Sequence, residues 1–137
     1  MDTRPVLDTD VLIDYLRGVG PGRDLIRVLG PSLAYRVTTV SAFELALGRS
    51  YGDTPAPVDA LLSVPSLPLS RAAAIRAGGL LRSLREKGRG LDIRDAMQAG
   101  ICLEAQLPLV TRNRDHFERV EGLDVVGPDE WLARSGV

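Results

Sequence analysis

Asp8 stands in "RPVLDTDVLIDYLRG", where a short apolar stretch ending in Val6 and Leu7 gives way to the apolar face carried by Val11, Leu12, Tyr15 and Leu16. A carboxylate placed directly after a buried strand is costly unless something answers its charge. Other acids occupy comparable positions. Glu44 falls in the first turn of the helical stretch of "YRVTTVSAFELALG". Asp92 and Asp95 open the helix of "GRGLDIRDAMQAGI". "LPLVTRNRDHFERV" runs from a strand into Asn113 and Asp115. Two carboxylates about 4 Å apart repel by roughly 4 kcal/mol at an effective dielectric of 20. Acids gathered in one place therefore take up protons or hold a cation. A ligand set made only of oxygen suits Mg²⁺ or Mn²⁺ rather than zinc or copper. With phosphate oxygens as further ligands, such a site cuts a phosphodiester by in-line attack of water.

Each acid also has an ordinary structural reading. Ser41-x-x-Glu44 fits a capping box. Asp92 fits an N-cap, and Asp10, Asp95 and Asp115 fit acids favoured by a helix dipole. Position argues for the set as a whole. In parallel α/β sheets the ligand crevice opens beyond the carboxyl ends of the strands, and four strand-to-helix or loop-to-helix junctions here carry an acid. Their convergence is compatible with the sequence without being required by it.

The elements that must position these residues alternate. Strands are predicted at Pro5–Leu7, Leu33–Thr38, Leu67–Leu69, Leu109–Thr111 and Asp124–Val126. Helices are predicted at Asp10–Arg17, Arg23–Leu29, Ala42–Arg49, Pro57–Leu62, Arg71–Lys87, Ile93–Ala105, Arg114–Arg119 and Pro128–Ala133. This alternation implies a mostly parallel sheet covered on both faces. "YGDTPAP" reads as a short polar connection. The helix of "SRAAAIRAGGLLRSLREKGRG" carries Gly78 and Gly79 in its interior, at roughly 1 kcal/mol each relative to Ala. Either a neighbouring helix approaches there, from this chain or a partner, or the helix tolerates a kink. Its basic end, Arg82, Arg85, Lys87 and Arg89, reads as a solvated face or a phosphate contact.

The 137 residues, 45% hydrophobic and 26% charged, fit one soluble domain spanning 1–137. A formal net charge of -1 argues against gripping nucleic acid by global charge. Sixteen of the seventeen basic residues are Arg, a bias that suits phosphate contacts and that a GC-rich genome also produces. Cys102 stands alone, which forbids an internal disulfide and reads as a small buried thiol. One Cys and one His leave too few soft ligands for structural zinc. No leader pattern opens the chain, and no uncharged run approaches the roughly 20 residues that span a bilayer. The expected location is the cytoplasm, with no membrane contact.

"LDTDVLIDYL", "TTVSAFELALG", "LDIRDAMQAGI" and "LVTRNRDHFERVEGLDVV" resemble, in order and spacing, the motifs of PIN-domain ribonucleases, above all the VapC toxins of bacterial toxin–antitoxin pairs. The resemblance implies a three-layer α/β/α domain and a metal-dependent endoribonuclease. It implies Asp8 and Asp95 as ligands of Mg²⁺ or Mn²⁺. Glu44 matches the Glu that follows the second strand, and Thr111 the Thr that lines the site and meets substrate. PIN proteins often carry Asp two residues after that Thr; here the place is Asn113. Asp115 lies two further on and is expected to take over the role, directly or through a water. Glu44 and Asp115 would orient the attacking water or help a second ion. The resemblance further implies an RNA substrate, a homodimer, and a VapB-like antitoxin whose Arg-bearing tail blocks the site, with faces around Arg23–Leu29, Ala42–Tyr51 and Pro57–Leu62 as the groove. His116 reads as a surface residue.

Three rivals differ in class. One keeps the fold but processes RNA or cuts DNA. Another is a degenerate PIN module that binds nucleic acid without cutting, which Asn113 keeps open. The third is a receiver domain, opposed by Ser70 where the third strand needs Asp and by Lys87 far from a strand end.

Overall fold

A computed structural model describes residues 1–48 and 52–135. The strands are β1 (Val6–Leu7), β2 (Val37–Thr38), β3 (Ser66–Leu67), β4 (Leu109–Val110) and β5 (Val125–Val126). All pairings are parallel: Val6 with Leu109, Leu109 with Val125, and Val37 with Ser66. A bridge between Val6 and Arg36 joins the two groups, giving the spatial order β3-β2-β1-β4-β5.

Between the strands lie α1 (Thr9–Arg17), α2 (Gly20–Leu29), a 3₁₀ turn (Gly30–Ser32), α3 (Thr39–Leu47), α4 (Pro55–Leu61), α5 (Arg71–Glu86), α6 (Ile93–Ala105), α7 (Arg114–Phe117) and α8 (Pro128–Arg134). Alternate strand residues serve opposite faces, as the two-residue period of a strand requires. Leu7, Val37, Val110 and Val126 pack with Val11, Leu12, Leu25, Ile26 and Val58, beneath α1, α2 and α4. Val6 and Leu109 pack with Leu84, Ala99, Cys102 and Phe117 beneath α5, α6 and α7. The result is the expected helix–sheet–helix sandwich.

Several boundaries differ from expectation for local reasons. α2 starts at Gly20, not Arg23, because Pro21 suits the first helical turn and buried Asp14 accepts the Gly22 amide at 3.1 Å. The stretch Leu33–Thr38 is strand only at its end, since the 3₁₀ turn leaves Leu33 in the left-handed region at φ 52°. α3 starts at Thr39 because Thr38 caps it, accepting from Ser41 N at 3.1 Å. Glu44 is therefore free of the capping box that Ser41-x-x-Glu44 suggests. The predicted Arg49 end of that helix, and Tyr51, lie outside the described residues.

The close helix approach falls at Gly100, not at Gly78 and Gly79. A Cβ on Gly100 would stand 2.6 Å from the Ala73 carbonyl oxygen and 2.9 Å from the Ala77 Cβ. A Cβ on Gly78 or Gly79 would meet nothing within 4 Å. Among the described residues, no helix is long and apolar enough to cross a membrane.

Candidate active site at the carboxyl edge of the sheet

β1 delivers Asp8 to the rim of the sheet, where its amide donates to Val110 O at 2.9 Å and its side chain caps α1 through Thr9 N at 2.9 Å. The residue is 6% exposed. Its Oδ1 also accepts from Gln98 Nε2 at 3.2 Å, and its Oδ2 accepts from Thr111 Oγ1 at 2.7 Å. Strand β1, helix α6 and the end of β4 thus all hold this one carboxylate. Burial nonetheless raises its pKa above the ordinary carboxylate value, with the Thr111, Thr9 and Gln98 bonds opposing and the Glu44 charge reinforcing.

Glu44 joins the same rim from α3. Thr9 Oγ1 donates to its Oε1 at 2.9 Å, so one Thr places both Asp8, through its amide, and Glu44, through its hydroxyl. Arg94 stands 3.6 Å from Glu44 Oε2 and is half exposed. Asp95 comes from the first turn of α6. Its pKa is pushed up to about 6, first by burial and next by the charge of Asp8, with Asp92 and Glu44 adding and His116 opposing. Asp92 is the N-cap of α6, accepting from Arg94 N at 2.9 Å, as its ordinary structural reading has it.

Beneath these acids lies a layer of buried polar side chains. Gln98, 1% exposed, donates to Ser41 Oγ at 3.0 Å as well as to Asp8, and accepts from Thr38 Oγ1 at 2.5 Å. Ser41 Oγ lies 2.9 Å from Thr9 Oγ1. Sequence reasoning missed this layer. Its signal was present in "AMQAGI", where an amide interrupts an apolar helix face three residues after Asp95.

The turn from β4 to α7 closes the rim. Thr111 is fully buried and binds Asp8, as a site-lining Thr would. Asn113 is exposed, its amide donating to Thr111 Oγ1 at 3.0 Å. Asp115 is exposed in the first turn of α7 and makes no hydrogen bond or ion pair among the described residues. Exposed His116 places Nδ1 4.0 Å from Asp95 Oδ2, so it borders the rim. Asp10 is drawn in as well: its Oδ2 accepts from Arg112 N at 3.0 Å, and its pKa is pushed up to about 7 by burial and then by Asp8.

Among the described residues, no three His, Cys, Asp or Glu side chains stand close enough together to hold a metal ion as they are placed. The donor set nevertheless fits a hard divalent cation. It is all oxygen, the carboxyl groups of Asp8, Asp10 and Asp95 all have raised pKa values, and the buried Asp10 Oδ1 has no hydrogen-bond partner. A dication accepted by Asp8 and Asp95, with Glu44 beside it, would relieve the repulsion that the fold imposes.

Residues 6–123 match the PIN domain. The chain is 30% identical over 118 residues to ribonuclease VapC10 of Mycobacterium tuberculosis, covering 86% of this chain and 89% of that protein. Its fold is similar to that of a DNA-bound VapBC complex from Salmonella typhimurium, at TM-score 0.78 and 23% identity over 92% of this chain and 98% of that one. It is similar also to VapBC2 from Rickettsia felis bound to a promoter DNA fragment, at TM-score 0.77 and 18% identity over 91% of this chain and 98% of that one.

Proposed function

The chain belongs to the PIN-domain family, and we propose that it is the toxin of a toxin–antitoxin pair, a Mg²⁺- or Mn²⁺-dependent endoribonuclease folded as one domain over 1–137. The observation that carries this is the approach of Asp8, Glu44 and Asp95 at one edge of the sheet, where Glu44 raises the pKa of Asp8, both raise that of Asp95, and half-exposed Arg94 and exposed His116 oppose them. Asp8 and Asp95 would hold the ion, which would supply Lewis acidity to lower the pKa of the attacking water and offset charge on the scissile phosphate. Glu44, fixed by Thr9, orients the attacking water. Thr111 keeps Asp8 in place, and Asn113 and Asp115 line the open side where RNA enters. No side-chain nucleophile is needed.

Two surfaces support the partners. A groove of about 380 Å³ is lined by Ile13, Leu16, Leu45, Pro57 and Val58, with Glu44 and Arg17 as its charged members. It suits an apolar antitoxin segment followed by an Arg that pairs with the site carboxylates. VapBC complexes among the similar structures support this reading. Exposed Phe43, Leu47, Ile75 and Ile93 support a homodimer.

The test is cleavage of RNA and DNA strands with and without Mg²⁺. Outer-sphere partners of a metal already cost 10–100-fold in affinity or activity, so Asp8→Ala and Asp95→Ala should each lose more than about a hundredfold while circular dichroism stays native. EDTA should abolish cleavage. Retained cleavage in either variant overturns the site. Asn113 keeps one alternative open, a module that binds RNA without cutting it; tight RNA binding with no cleavage at any Mg²⁺ concentration would establish that instead.

A further inference from the structure

RNA is a polyanion, and the rim that must receive it is acidic. Affinity for nucleic acid comes largely from cations set against the backbone. At the rim itself Arg94 leans toward Glu44 at 3.6 Å and Asp92 at 3.8 Å, so the attraction has to come from beside it. The segment from Arg82 to Gly90 carries Arg82, Arg85, Lys87 and Arg89 against one acid, Glu86, in a chain of net charge -1. All four cations are exposed and form no ion pair among the described residues. Arg76, earlier on the same helix, pairs with Glu104 at 2.8 Å. The dipole of α5 accounts for cations at its carboxyl end, an effect that fades within the last turn. It does not account for Arg89, which lies beyond the helix.

The loop that carries Arg89 is fixed at both ends. Gly88, at φ 68°, turns the chain; its amide donates to Arg85 O at 3.0 Å, and Arg89 N donates to Leu84 O at 2.8 Å. Arg119, just past α7, donates from Nη1 to Gly90 O at 2.8 Å. Asp92 then caps α6, whose first turn carries Arg94 and Asp95. Three residues of chain reach at most about 11 Å, so Arg89 stands about one Debye length of 0.1 M salt, roughly 10 Å, from that cap. A phosphate near Asp95 feels these cations.

We propose that the loop between α5 and α6 is a backbone subsite for the RNA substrate, in which Lys87 and Arg89, with Arg85 at the end of α5, take phosphates beside the scissile bond. Arg119 holds the loop in place through Gly90. The proposal deepens the RNA-cutting reading and rests on it.

The experiment is fluorescence polarisation of a short unstructured RNA in EDTA, over a range of salt, with wild type and two double variants. Lys87→Gln/Arg89→Gln alters the loop. Arg71→Gln/Arg76→Gln removes the same charge at the other end of α5, a helix of 16 residues and so about 24 Å long. The loop variant should bind about tenfold more weakly, with a salt slope smaller by about 1.4. In Mg²⁺ its KM should rise while kcat stays, as lost uniform binding requires. The Arg71/Arg76 variant should bind and cut as wild type does. Undiminished affinity in the loop variant overturns the proposal, as does an equal loss in both variants, which would report overall charge. Duplex DNA held more tightly than RNA and released by the loop variant also overturns it, and assigns the loop to DNA. RNA released by the loop variant from a protein that cuts none at any Mg²⁺ concentration supports the subsite and removes the endoribonuclease reading instead.

Discussion

Gln98 makes three side-chain hydrogen bonds while wholly buried, and two of them decide how Asp8 and Ser41 are held. Replacing it by Leu keeps the volume roughly constant, leaves the Thr38 hydroxyl hydrogen without its acceptor and removes one donor each from Asp8 and Ser41. A buried polar group left unsatisfied costs about 1–3 kcal/mol, so Gln98→Leu should lose stability in that range by urea unfolding. Mn²⁺ affinity should fall about tenfold or more if Gln98 aligns Asp8 for the ion. Stability lost without any change in affinity would make Gln98 purely structural. This residue and Asp10 also mark the limit of what the sequence displays. Asp8 was legible because an acid directly after an apolar strand has few innocent explanations. Gln98 and Asp10 find their partners 90 and 102 residues away. No local pattern records such pairings, and Asp10 taken alone fits an ordinary helix-start acid.

Helix α6 was legible from end to end, Ile93–Ala105, because its apolar period and its Asp92 cap are both local. Strand lengths were not, because a strand ends where its neighbour stops pairing, and β1, β4 and β5 pair over only two residues. The helix contact within the chain was not legible for the same reason: Gly78 and Gly79 are conspicuous in sequence and left a close approach or a kink open, whereas Gly100 is the one pressed against Ala73 and Ala77 of α5. Two substitutions separate these roles. Gly100→Ala forces the α5–α6 backbones apart and should cost about 1–3 kcal/mol, read as a lower urea midpoint. Gly78→Ala meets open space and should gain up to about 1 kcal/mol of helix propensity. Should Gly78→Ala instead lower stability in the monomer, the space around Gly78 would be closed rather than open. Should it leave the monomer stable and weaken self-association in ultracentrifugation, a second copy covers that surface.

Across the whole molecule the formal charge is only -1, yet acids with raised pKa values crowd one edge of the sheet, and their sign sets how stability follows pH. Asp95 titrates at about 6 and Asp10 at about 7 in the folded protein, against 3.8 for an ordinary Asp, and Asp8 is raised too. The folded state thus holds protons that the unfolded chain has released. The stabilisation from these groups is complete below about pH 4 and is lost as pH rises through 6 and 7. Asp2, held low by Arg4 and Arg36, acts with the opposite sign, but its effect is confined to strongly acid solution and is constant over this window. In EDTA, then, the contribution of the site should lower Tm between pH 5 and pH 7.5. Asp95→Asn, unable to ionise, should flatten that slope. On the metal-dependent reading a divalent ion reverses the balance, because it would bind the deprotonated carboxylates of the folded state alone. At a hundred times its Kd it adds about 2.7 kcal/mol, so Mg²⁺ should raise Tm more at pH 7.5 than at pH 5. Equal Mg²⁺ shifts at the two values would mean that the ion does not compete with protons for these carboxylates. The acids would then be gathered at the rim for some purpose other than holding a metal.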